Sequence, residues 1–213
     1  MDEKAKYAYG LDIGCGTGQS ALALTHFCEK VMAIDPSKAM LKNAISNNQI
    51  EYRHCNGQDL DFRPNIFDII AFAGSLYYAK SKHLLAEVVK VAKPNAKVII
   101  YDFEILLNPT LIALDVTPPS KQQLAYDYTV DFSGLESQNL QLQNKVQEEM
   151  AFALSLENLS HLLLADNDHY TLLAGKFGEA DLFEKLIDRL QEMAGSDRLQ
   201  IGGLIYYTLY SSS

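Results

Sequence analysis

Leu11-Asp12-Ile13-Gly14-Cys15-Gly16-Thr17-Gly18-Gln19-Ser20 sets three glycines at alternate positions between a strand-like run and a helix-like run. Such spacing lets a backbone turn sharply off a strand and approach a ligand with no Cβ in the way. The amides that open the next helix then face whatever lies above the loop. In an open α/β sheet this position falls at the carboxyl ends of the strands, where ligands bind. A dinucleotide fingerprint wants a small residue at position 19 and meets Gln19, which disfavours a nicotinamide-dependent oxidoreductase. No Gly-Lys-Ser/Thr follows, which excludes a P-loop.

Strand and helix signals alternate outward from the loop. Tyr7 to Ile13 precedes it, and Ser20 to Cys28 has helical spacing. Val31 to Ile34 is a second strand, Ser37 to Asn47 a helix, and Ile50 to Cys55 a third strand. Phe67 to Ala73 is almost wholly apolar, as for a strand buried on both faces. A helix around Leu84 to Val89 ends before Pro94, and Lys97 to Phe103 is a fifth strand. Five strands joined by helical crossovers predict a parallel, doubly wound α/β sheet. Three prolines then interrupt Asn108 to Asn139, so this stretch reads as an irregular insertion. A strand over Lys145 to Ala153, helices over Ser155 to Ala165 and Glu179 to Met193, and a final strand over Gly203 to Tyr210 complete the reading.

The 213 residues suit one domain, and 48% hydrophobic against 21% charged residues is too apolar for a disordered chain. A net charge of -9, with no run of Lys and Arg, argues against nucleic acid or a membrane surface as partner. Cys15, Cys28 and Cys55 are an odd number without CxxC spacing, so neither a disulfide framework nor a metal site is expected. The start Met1-Asp2-Glu3-Lys4-Ala5-Lys6 lacks an apolar leader, and the expected location is cytoplasmic. No feature specifies an oligomeric state.

The spacing Asp12-x-Gly14-x-Gly16-x-Gly18 resembles motif I of the class I S-adenosylmethionine-dependent methyltransferase family. Ala33 to Leu41 is similar to the family's second-strand motif, whose terminal acid binds the ribose hydroxyls and corresponds to Asp35. Cys55 to Phe62 resembles the adenine-contacting segment, with Asn56 and Gly57 at the matching positions. Phe67-Asp68-Ile69-Ile70 resembles the fourth-strand motif, and Val91 to Val98 the turn after the helix, with Asn95 where glycine is usual. The likeness covers Tyr7 to Phe103. It implies a Rossmann-like, mostly parallel seven-stranded sheet with an antiparallel C-terminal strand. It also implies S-adenosyl-L-methionine as cofactor, held by Asp12, Gly14, Cys15, Gly16, Gly18, Asp35, Pro36, Met40, Asn56, Gly57, Ala73 and Ser75.

The implied function is in-line methyl transfer to a small molecule; the alternative is a noncatalytic cofactor-binding module or complex subunit. Only about six residues precede the first strand, where relatives carry covering helices, so either the region after the fifth strand covers the cofactor or the site is more open, and that alternative stays open. Such a transfer asks the protein for proximity and orientation, and for a base only when the acceptor must lose a proton. Gly74 to Tyr78 would border the sulfonium, making Tyr77 a candidate acceptor-orienting residue; a packing tyrosine is the competing reading. His161, in the half that usually supplies substrate contacts, is a second candidate, set against an ordinary helix histidine. Ala153 to Leu159 is similar to the trans-aconitate methyltransferase branch, but that branch's Ser/Thr-Trp-Ser segment has no counterpart at Leu164-Ala165-Asp166-Asn167. Acids also outnumber the single base Lys145 between Tyr126 and Tyr170, which would repel a polycarboxylate. One domain over 1–213 is expected, with 104–143 an insertion or lid-like region within it.

Overall fold

Alternate residues of the central strands enter different clusters: Ile70 and Phe72 pack with Leu11 and Ile34, while Ile69 and Ala71 pack with Val31 and Ala33. That period of two means both faces of the sheet are covered. The structure is a computed structural model that describes residues 7–119, 126–135 and 138–213. Its strands are β1 (Tyr7–Ile13), β2 (Cys28–Asp35), β3 (Ile50–His54), β4 (Phe67–Ala73), β5 (Ala92–Ile105), β6 (Leu140–Ser155) and β7 (Arg198–Ser212). They form one seven-stranded sheet in the order β3-β2-β1-β4-β5-β7-β6. The first five pair in parallel and the C-terminal strands run antiparallel, as the sequence implies. The helices are α1 (Gln19–Leu24), α2 (Lys38–Lys42), α3 (Leu76–Ala79), α4 (Lys82–Val91), α5 (Asn108–Ala113), α6 (Leu156–Ala165), α7 (Asn167–Phe177) and α8 (Leu182–Ala194).

Two compact units emerge. The first comprises the described residues of Met1–Phe103, Tyr126–Gln147 and Tyr206–Ser213. Its crossover helix α4 buries Leu84, Leu85, Val88 and Val91 and opens on a Ser81 cap that accepts the Leu84 amide. The second comprises the described residues of Glu104–Ala125 and Glu148–Ile205. Its core joins Leu159 and Leu163 of α6, Leu173 of α7, and Leu186 and Leu190 of α8. Residues 120–125 and 136–137 of the expected 104–143 insertion lie outside the described residues.

Local differences from the sequence reading have identifiable causes. The helix expected to reach Asn47 stops at Lys42, because Ile45 donates its amide to Thr17 and its carbonyl accepts the Tyr52 hydroxyl. Those bonds hold the chain against the glycine loop instead of in a helix. Within the stretch read as irregular, α5 forms with Pro109 in its first turn, where the missing N–H costs nothing. Asn95 takes φ 64, the left-handed conformation that a glycine would supply in that turn.

Candidate active site

Gly14 and Cys15, at the end of β1, both donate their amides to the Ile34 carbonyl, which folds the loop over the end of β2. Gly14 has φ 77, and a Cβ there would lie 2.4 Å from the Ser75 Cβ. Gly18 has φ 91, and a Cβ there would lie 2.1 Å from the Tyr52 hydroxyl. Both approaches require glycine. Ser75 in turn donates its hydroxyl to the Ile13 carbonyl, joining the end of β4 to the end of β1.

Asp35 ends β2, and its carboxylate is fixed from two sides. One oxygen accepts the Gly16 amide at 2.8 Å and the other the Ser37 amide at 2.7 Å. Each oxygen keeps a lone pair for a further donor, which suits a vicinal diol. Asn56 is held by its side-chain oxygen accepting the Gln58 amide at 3.0 Å.

These strand ends surround a cavity of about 330 Å³. Of the residues singled out in the sequence, Gly14, Asp35, Pro36, Asn56, Gly57, Ala73 and Ser75 line it. Gly16 reaches it through the bond to Asp35, and Gly18 sits behind, against Tyr52. Asp12 is buried under the loop, where Ser20 donates to one carboxylate oxygen. Burial pushes the Asp12 carboxyl up to about 7; the Ser20 hydroxyl opposes the shift and the nearby Asp35 charge adds to it. Burial likewise pushes the Cys15 thiol up to about 12, with Asp12 and Asp35 adding to it, so the thiol stays protonated. Met40 is half exposed on α2, away from the cavity lining. Tyr77 lies on α3 with its ring 4.5 Å from that of Tyr126. His161 lies on α6 in the second unit, its ring against Phe183 at 4.6 Å. Among the described residues no cluster could hold a metal ion, and no helix is long and apolar enough to cross a membrane.

Three residues had no individual signal in the sequence. Gln58 lines the cavity and donates its amide nitrogen to the Ala79 carbonyl. Asp102, on β5, places its carboxylate oxygens 3.4 and 3.5 Å from where a Cβ on Gly74 would be. The Tyr126 hydroxyl sits between the Gly74 carbonyl, at 2.7 Å, and the Asp102 carboxylate. Only parallel pairing, which aligns the ends of β4 and β5, could have pointed to Asp102.

The donor set fits an S-adenosyl group: a fixed acid for a diol, an amide side chain for an adenine edge, and a glycine loop that allows close approach. Residues 11–100 match the methyltransferase domain family. The chain is 30% identical over 112 residues to a candidate methyltransferase of Dictyostelium discoideum, covering 49% of this chain and 39% of the relative. It is 32% identical over 112 residues to the demethylmenaquinone methyltransferase of Bacillus cereus, covering 48% and 46%. The chain thus spans less than half the length of these curated relatives. A solved structure of a candidate type II methyltransferase from Anaeromyxobacter dehalogenans superposes with a TM-score of 0.66 at 20% identity, covering 96% of this chain and 89% of that one. Residues 11–100 are thus similar to the methyltransferase domain family, and the chain shares the fold of solved methyltransferase structures.

Proposed function

We propose that the protein transfers a methyl group from S-adenosylmethionine to a small molecule, with the cofactor in the cavity bounded by Gly14, Asp35, Asn56 and Ser75. The observation that carries this reading is Asp35, pinned by the Gly16 and Ser37 amides with a lone pair open on each oxygen. When bound, the cofactor supplies a methyl carbon already activated by a sulfonium. The chain has correspondingly little covalent chemistry to do. Asp35 accepts the ribose hydroxyls, Asn56 and Gly57 face the adenine, and the Gly14 turn sets how close the methionine end comes to Ser75. Together they fix the cofactor so that an acceptor meets it in line. Three cysteines outside any disulfide and a net acidic composition fit a cytoplasmic location.

Thermal unfolding tests the reading. S-adenosylhomocysteine should raise the melting temperature by binding the folded state, and NADH should not. Equal stabilisation by NADH, or none by S-adenosylhomocysteine, overturns it. Binding without turnover on any acceptor would favour a noncatalytic module.

A further inference from the structure

Gly74 lines the cavity just described and also a second, narrow cleft beside it. The side chains around that cleft include Tyr77, Tyr101, Asp102, Asp127 and Tyr128, and none is Lys, Arg or His. Its charged groups are therefore both carboxylates. Lys145 and Lys80 act on Asp127 from outside the lining; Lys145 pairs with Asp131 at 2.7 Å, and Lys80 donates to the Ser133 carbonyl at 2.9 Å.

Aromatic rings line the approach. Tyr78 lines the cofactor cavity, and its ring lies 5.7 Å from that of Tyr126. Tyr126 is 4.5 Å from Tyr77 and 4.8 Å from Tyr128, and Tyr128 stacks on Tyr206 at 6.3 Å. A contiguous row of tyrosines thus leads from the cofactor cavity past the Asp102 carboxylate. Ring faces and carboxylates together attract cations and repel anions.

We propose that the methyl acceptor is a small amine, held over Gly74 by the Asp102 carboxylate and the Tyr77, Tyr126 and Tyr128 rings. The proposal rests on the cofactor assignment above and adds the acceptor's chemical class. In the structure the Tyr126 hydroxyl fills the place over Gly74, bonding to Asp102 as an incoming N–H would. The amine arrives as an ammonium and gives one proton to Asp102, which frees its lone pair. That pair forms the new N–C bond to the methyl carbon while the C–S bond breaks, its electrons remaining on sulfur. The product leaves as the alkylated ammonium, and Asp102 passes its proton to water.

Tetramethylammonium chloride, sodium acetate and phenol serve as probes, titrated by calorimetry into protein saturated with S-adenosylhomocysteine. Tetramethylammonium should bind more tightly than phenol, and acetate should not bind. Asp102→Asn should weaken tetramethylammonium about tenfold by removing the charge it faces. Tyr126→Phe keeps the ring but removes the competing hydroxyl, so binding should tighten, an effect that a merely structural tyrosine would not produce. If Asp102→Asn fails to fold, judged by circular dichroism, Tyr128→Leu should weaken tetramethylammonium instead. Phenol binding as tightly as tetramethylammonium, or variants with wild-type affinity, would overturn the amine while leaving the cofactor reading intact. A wild-type protein that does not bind S-adenosylhomocysteine would sink the cofactor reading, and the amine proposal with it.

Discussion

Asp12 is fully enclosed on β1, and one of its carboxylate oxygens has no hydrogen-bond partner among the described residues. Burial raises its pKa from 3.8 to about 7. Between those values the folded protein holds a proton that the unfolded chain has released, so stability falls as pH rises; above about 7 the effect levels off. Each pH unit in that interval costs about 1.4 kcal/mol, or about 4 kcal/mol over the whole of it. Asp12→Asn has no such proton to lose. Urea unfolding followed by circular dichroism on the ligand-free protein should therefore show the variant gaining on the wild type by about 2 kcal/mol between pH 5 and pH 7. The constant cost of altering the Ser20 hydrogen bond cancels in that difference. A difference between the two proteins that stays constant with pH would show that Asp12 is ionised in the fold throughout and refute the reasoning.

Replacing Asp35 with Ala removes the acceptor for two ribose hydroxyls, each worth roughly 1.5–3 kcal/mol, and calorimetry should show at least about a hundredfold loss of S-adenosylhomocysteine affinity. Unchanged affinity would place the ribose elsewhere. Gly18→Ala should cost at least about 3 kcal/mol, because the new methyl collides with Tyr52 at φ 91, whereas Gly16→Ala meets nothing within 4 Å and should cost only about 1 kcal/mol for its left-handed backbone. Equal melting temperatures for the two variants would contradict the packing of the loop. Burial opposes ionisation of Asp131, but Lys145 and the Ser133 amide hold its pKa below the ordinary value, so its contribution is present above that value and lost as pH falls. Lys145→Met should destabilise by about 1–3 kcal/mol at neutral pH and by less in acid; a loss that does not shrink in acid would show that the pair is not the cause.

The parallel half was readable because its strands are short apolar runs between turn residues, and the glycine loop locates one ligand side of the sheet. Phe67–Ala73 coincides with β4 because successive residues point to opposite faces of the sheet and both faces are covered. Helix lengths were less readable, since the end of α2 is set by the Ile45 amide donating to Thr17, far back in the sequence, and by the Tyr52 hydroxyl donating to the Ile45 carbonyl from the next strand. The helix α7 escaped notice because Asn167-Asp168-His169 reads as polar loop, although Asp166 caps it through the His169 amide. At the site, residues within motifs were identifiable one by one. Asp102 and Tyr126 were not, because their pairing spans a register and a loop that no local pattern encodes.

Leu11 and Tyr210 belong to the same core cluster although they lie near opposite ends of the sequence. The Ser212 hydroxyl likewise donates to the Lys93 carbonyl. The cavity-bearing unit is thus assembled from early residues and completed by late ones, a long-range closure that slows folding. During synthesis the parallel strands emerge first, and the flank of β5 that β7 later occupies stands open with unpaired amides and carbonyls. Until β7 arrives, the nascent chain exposes an unpaired sheet edge, the kind of surface through which incompletely folded chains associate.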